Sequence, residues 1–95
     1  MKIVKEFILR DIAGEYVLVP TGATTQEFNG LITLTDTAGF IWENIEKAGS
    51  MQELENRILE KYQVEEETAR KDTEEFVREL QKAGILAYSN EKEGW

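Results

Sequence analysis

The sequence predicts an α+β fold, with a three-stranded antiparallel sheet followed by three helices. Two patterns predict it. Short apolar runs broken by glycine and proline fill the first third, and apolar residues then recur at helical spacing to near the end. The chain of 95 residues has no cysteine, so its core must close without disulfides, which this length allows.

The first two strands are Phe7-Ile8-Leu9-Arg10-Asp11-Ile12 and Glu15-Tyr16-Val17-Leu18-Val19, separated by a hairpin break at Ala13-Gly14. Pro20 ends the second, because proline lacks the N–H that a ladder uses. Thr21 to Glu27 is small, polar and rich in breakers, and reads as a mobile loop. Leu31-Ile32-Thr33-Leu34 makes the third strand, at an edge of the meander unless the first strand curls back to cover it.

Thr35 is the expected N-cap of helix one, with Asp36 at the positive end of its dipole. Ala38, Ile41, Trp42 and Ile45 form its apolar face, and Gly49 stops it. Ser50-Met51-Gln52-Glu53 is a capping box for helix two, whose face is Met51, Leu54, Ile58, Leu59 and Tyr62. Helix three begins near Glu65 and runs to Ala83, where Gly84 terminates it. Its face is Ala69, Thr73, Phe76, Val77 and Leu80. Ile85 to Tyr88 can return to the core, and the stretch from Ser89 to Trp95 is too polar to fold alone.

Composition excludes more than it selects. The formal charge is −8, from 11 basic and 19 acidic residues, mostly interleaved, which disfavours nucleic acid and anionic membrane as partners. No apolar run is long enough for a membrane span and no leader-like segment opens the chain, so a cytoplasmic location is the expectation. Histidine, the usual general base, is absent, as are the Cys and His of zinc and iron–sulfur sites. A carboxylate pair is the remaining catalytic option, but most acids fall away from the apolar stripes, where solvent keeps them ordinary. The expectation is a non-enzyme with no cofactor and no metal.

The third strand is the sharpest candidate for function. From Gly30 to Leu34 it has neither the charge nor the proline that normally protects a sheet edge. It could be covered by the chain itself or by a second copy. Alternatively a peptide could add to it as another strand, in a groove walled by Ala69, Thr73, Phe76 or Val77 of helix three, residues that serve equally well as plain core. Asp72 borders that face, either as a half-buried carboxylate with a local partner or as a contact to a ligand along the helix. Lys71, Arg78 and Lys82 recur opposite it among glutamates and read as ordinary surface pairs.

The order of these elements resembles the PqqD-like family, the peptide-recognition domains of pathways that modify ribosomally made peptides. The residues concerned span about 7 to 86. They are Gly14 to Pro20, Leu31 to Thr35 leading to Ala38, Ile41 and Trp42, Ser50 to Leu54, Tyr62-Gln63-Val64, and Asp72-Thr73, Phe76-Val77, Leu80 and Gly84. The resemblance implies a winged-helix-like recognition domain at residues 1–86 and a polar tail at 87–95. It implies a free-standing, non-catalytic adaptor that binds the leader of a precursor peptide by strand addition. The adaptor would then present the substrate to a modifying enzyme, often a radical S-adenosylmethionine enzyme. The implied peptide-binding residues are Leu31, Ile32, Thr33 and Leu34 on the strand, with Ala69, Thr73, Phe76 and Val77 on the helix. Glu27-Phe28-Asn29-Gly30 departs from the proteins of pyrroloquinoline quinone synthesis proper, and that pathway is not assigned.

The acidic balance favours a leader with some basic residues, or an apolar one of low charge. Two other readings stay open. Helices two and three could form the helix-turn-helix of a DNA-binding regulator, although Glu65 to Lys82 holds seven acids against four bases. The bare edge could instead close a homodimer, so the oligomeric expectation is a monomer or a homodimer.

Overall fold

The structure, a computed structural model, describes residues 2–28 and 30–87. The elements run β1 (Lys2–Ile3), β2 (Phe7–Ile12), β3 (Glu15–Pro20), a 3-10 helix (Gly22–Gln26), β4 (Ile32–Leu34), α1 (Asp36–Asn44), α2 (Met51–Lys61), α3 (Glu66–Lys82) and β5 (Leu86–Ala87). The three predicted strands are β2, β3 and β4, an antiparallel sheet in that order. The three predicted helices follow. The fold is α+β, as expected.

Ala13 and Gly14 both take positive φ, 54° and 86°, between the paired residues Ile12 and Glu15. This is the two-residue hairpin whose twist matches that of its strands. The Asp11 carboxylate accepts the Gly14 N–H at 3.1 Å and braces the turn. One face of the sheet carries Leu18 with Ile32 and Leu34 and packs on the helices.

The predicted caps form. Thr35 Oγ1 accepts the Ala38 N–H at 3.1 Å and Ser50 Oγ accepts the Glu53 N–H, also at 3.1 Å. The Glu53 carboxylate reaches back to the Gly49 N–H, one residue before the cap itself. Helix α1 ends at Asn44, earlier than the predicted stop at Gly49, and a further turn is closed by the Ala48 N–H on the Asn44 carbonyl at 2.9 Å. Ile41 of α1, Ile45 just past its end, Leu54 and Ile58 of α2, and Ala69, Phe76, Val77 and Leu80 of α3 are buried in one cluster with Ile85 and Leu86, and Thr73 is buried as well.

Two features depart from expectation. Thr21 to Glu27 is not a loose loop. Thr24 is 3% exposed, its hydroxyl accepts the Glu6 N–H at 2.8 Å, and Lys5 pairs with Glu27 at 2.6 Å, so the segment is tied to the start of β2. In addition, β1 and β5 form a second, two-stranded sheet with Lys2 opposite Ala87 and Ile3 opposite Leu86. The predicted return of the chain past Gly84 therefore ends in a strand, while Tyr88 and the polar stretch to Trp95 lie outside the described residues.

Candidate functional site

The hydrogen-bond alternation of the hairpin determines where β4 points its backbone. In an antiparallel ladder, paired residues alternate between exchanging both backbone bonds and exchanging none. The two-residue turn makes Ile12 and Glu15 a bonded pair, and the Thr21 N–H bonds the Glu6 carbonyl at 3.0 Å three alternations further on. Val17 therefore faces β2, whereas Tyr16 and Leu18 face β4. Tyr16 pairs with Leu34 and Leu18 with Ile32, so both β4 residues turn their polar groups inward. Thr33, between them, turns its N–H and C=O outward. Among the described residues no strand pairs with that edge.

A cleft of about 570 Å³ opens beside this edge, between β4 and α3. Its floor is apolar, from Leu18, Ile41 and Ile85, with Phe76 and Leu80 rising along the helical side. Asp72, Glu75, Glu79 and Ala83, all exposed, complete that side and form its rim. They recur at i, i+3, i+7 and i+11, which aligns them on one flank of a helix. From Asp72 to Ala83 the wall rises about 16 Å, the length of about five strand residues.

The sequence-predicted residues divide. Ile32, Thr33, Leu34 and Phe76 border the cleft together. Leu31 lies just before β4, is 58% exposed, and does not border it. Ala69, Thr73 and Val77 are fully buried in the helical core and do not line it either. The Thr73 hydroxyl donates to the Ala69 carbonyl at 2.7 Å and is fully buried, out of reach of a ligand in the cleft. The difference is one of phase: the cleft meets α3 along Asp72, Glu75 and Glu79 together with Phe76 and Leu80, and leaves out Ala69, Thr73 and Val77. Asp72 was legible as a border residue; Glu75 and Glu79 share its flank, and their spacing from it was the available signal.

The residues bordering the cleft are aliphatic, aromatic, threonine or acidic. Among the described residues no three acids gather as a metal site, and no helix is long and apolar enough to cross a membrane. The arrangement could accept an extended chain: a backbone edge unpaired among the described residues, an apolar trough beneath it and a polar rim.

Comparison with known proteins agrees with this architecture. Among solved structures, TbiB1 in complex with the TbiA(beta) leader peptide is similar over 95% of this chain and 100% of that one, with a TM-score of 0.68 and 24% identity. At that identity the likeness establishes the fold. No curated protein matches the sequence significantly. The family described as coenzyme PQQ synthesis protein D (PqqD) matches residues 10–86, which takes in the hairpin turn, β3, β4 and all three helices. The chain belongs to the PqqD family.

Proposed function

We infer that this chain is a cytoplasmic, non-catalytic adaptor that binds the leader segment of a ribosomally made precursor peptide and presents the remainder to a modifying enzyme, often a radical S-adenosylmethionine enzyme. The observation that carries the reading is the outward N–H and C=O of Thr33 above an apolar cleft. A peptide laid along β4 gains backbone hydrogen bonds there and buries alternate side chains against Phe76 and Leu80, the mode of β-strand addition. The leader peptide bound to the similar TbiB1 supports the choice of partner. The scarcity of catalytic residue types supports a holding role. Holding is enough to accelerate a reaction, because a tethered core peptide meets the enzyme at an effective concentration of about millimolar.

The test is affinity capture from native-host lysate with mass spectrometry of the retained peptides, repeated with Thr33→Pro. Proline removes one N–H from the open edge and none from the ladder with β3. Recovery of a short precursor by the wild-type chain and its loss from the variant, with folding retained by circular dichroism, is the expected result. Retention of the same precursor by Thr33→Pro would refute strand addition. Recovery of the chain alone, as a dimer whose β4 edges meet, would assign the edge to self-association.

A further inference from the structure

The rim of the cleft has one sign of charge. Fifteen residues border it, of which Asp72, Glu75 and Glu79 are acidic and none is basic. The four basic residues of α3, Arg70, Lys71, Arg78 and Lys82, all lie off the cleft. Among the described residues, the ion pairs are Lys5–Glu27 and Arg57–Glu53, so none of the three rim carboxylates is held in one. On the leader-binding reading above, the open edge and the apolar trough hold the peptide, and the rim is the charged part of the cleft.

An added strand continues the sheet, so every second side chain points to the α3 side, on the same face as Ile32 and Leu34. Those side chains recur at about 7 Å. Along α3, Glu79 lies about 6 Å beyond Glu75. For a strand laid along α3 the two periods agree closely enough for neighbouring inward side chains to meet neighbouring glutamates. Phe76 and Leu80 lie on the cleft side between and beyond them. A long aliphatic stem could pack on these two while its charged end reaches the rim, as lysine and arginine do on amphipathic surfaces.

Resting on the leader-binding reading above, we propose that the cleft selects an extended leader segment with Lys or Arg at two inward-facing positions, i and i+2, beside an apolar inward residue. A leader of acidic residues in that row is disfavoured by repulsion from the same three carboxylates. Exposed ion pairs of this kind are each worth a factor of about 1.5 to 5 in affinity, so the rim as a whole amounts to about tenfold. The preference shrinks in high salt, where the screening length falls to about 3 Å.

The experiment is selection of a displayed random 12-residue peptide library on the wild-type chain, on Thr33→Pro and on Asp72→Asn/Glu75→Gln/Glu79→Gln. All three rim residues are exposed, so the triple variant is expected to fold, which circular dichroism checks. The expected outcome is enrichment of peptides with Lys or Arg two residues apart on the wild type. These should bind the triple variant about tenfold more weakly, and half-molar salt should erase the difference. Thr33-dependent binders without that spacing, or an unchanged basic preference on the triple variant, would overturn the charge proposal and leave leader binding standing. A selection that yields no Thr33-dependent binder would overturn the leader-binding reading, and the proposal with it.

Discussion

The ring of Tyr16 on β3 packs directly against the backbone of Gly39 in α1: a methyl group on Gly39 would stand 2.9 Å from Tyr16 Cγ and 3.0 Å from Cδ2. This contact sets how closely the first helix approaches the sheet. It also bears on the cleft, since Tyr16 pairs with Leu34 of β4 and the flanking Ala38 and Ile41 border the cleft.

Gly39→Ala should therefore destabilise the protein even though alanine is the better helix former. Overpacking costs about 1–3 kcal/mol, against about 1 kcal/mol gained in helix propensity, for a net loss of about 1 kcal/mol. In a Tyr16→Ala background the obstructing ring atoms are gone, and the same substitution should become stabilising by up to about 1 kcal/mol. Urea unfolding of the four members of this cycle measures the sign change. An equal effect of Gly39→Ala in both backgrounds would rule the contact out as the cause.

What could be read from the sequence was whatever is decided locally. The Ala13-Gly14 turn, the Thr35 and Ser50 caps and the apolar face of α3 each depend on residues within a turn or two of one another. The 3-10 segment escaped because Thr24 earns its burial from a bond to Glu6, 18 positions away. The β1–β5 pair escaped because two-residue strands have no periodicity, and only tertiary closure brings Lys2 beside Ala87. The candidate site was half legible. An unprotected strand marks the edge at Thr33, but periodicity only says which face of α3 is buried. Which flank of that face meets the sheet depends on how the helix is rotated in the assembled core, and periodicity alone therefore points to Ala69, Thr73 and Val77 ahead of Asp72, Glu75 and Glu79.

Two glutamates of α2 should move acid stability in opposite directions. The Gly49 N–H, aided by Arg57, holds the Glu53 carboxyl below the usual glutamate range. Its contribution is present above the unfolded-state pKa and is lost as pH falls through the lower folded-state value. Partial burial, and then the neighbouring Glu74, push Glu55 up, with Arg70 offsetting only part. Its charge costs stability at neutral pH, and the cost disappears as pH falls below the unfolded-state value. Glu53→Gln should thus lower neutral-pH stability and Glu55→Gln raise it, with both variants approaching the wild type in acid. Urea midpoints from about pH 3 to pH 7 check both signs. A parallel offset at every pH would mean that packing, not titration, is responsible.

The two adjoining stripes of α3 should separate stability from binding. Val77 is buried in the core and does not border the cleft, so Val77→Ala removes two methyl groups at a cost of about 2 kcal/mol while the folded protein keeps its affinity for a bound peptide. Ala83 is exposed at the end of the cleft wall, where a tyrosine changes stability by no more than about 0.5 kcal/mol but intrudes on the path of an added strand. Ala83→Tyr should then weaken peptide binding at near wild-type stability. Fluorescence anisotropy with a peptide selected on the wild-type chain, measured well below either variant's unfolding transition, reads the affinities, and urea unfolding reads the stabilities. If Val77→Ala lost affinity while still folded, the buried stripe would belong to the binding surface after all, and the cleft would have to be redrawn deeper into the helical core.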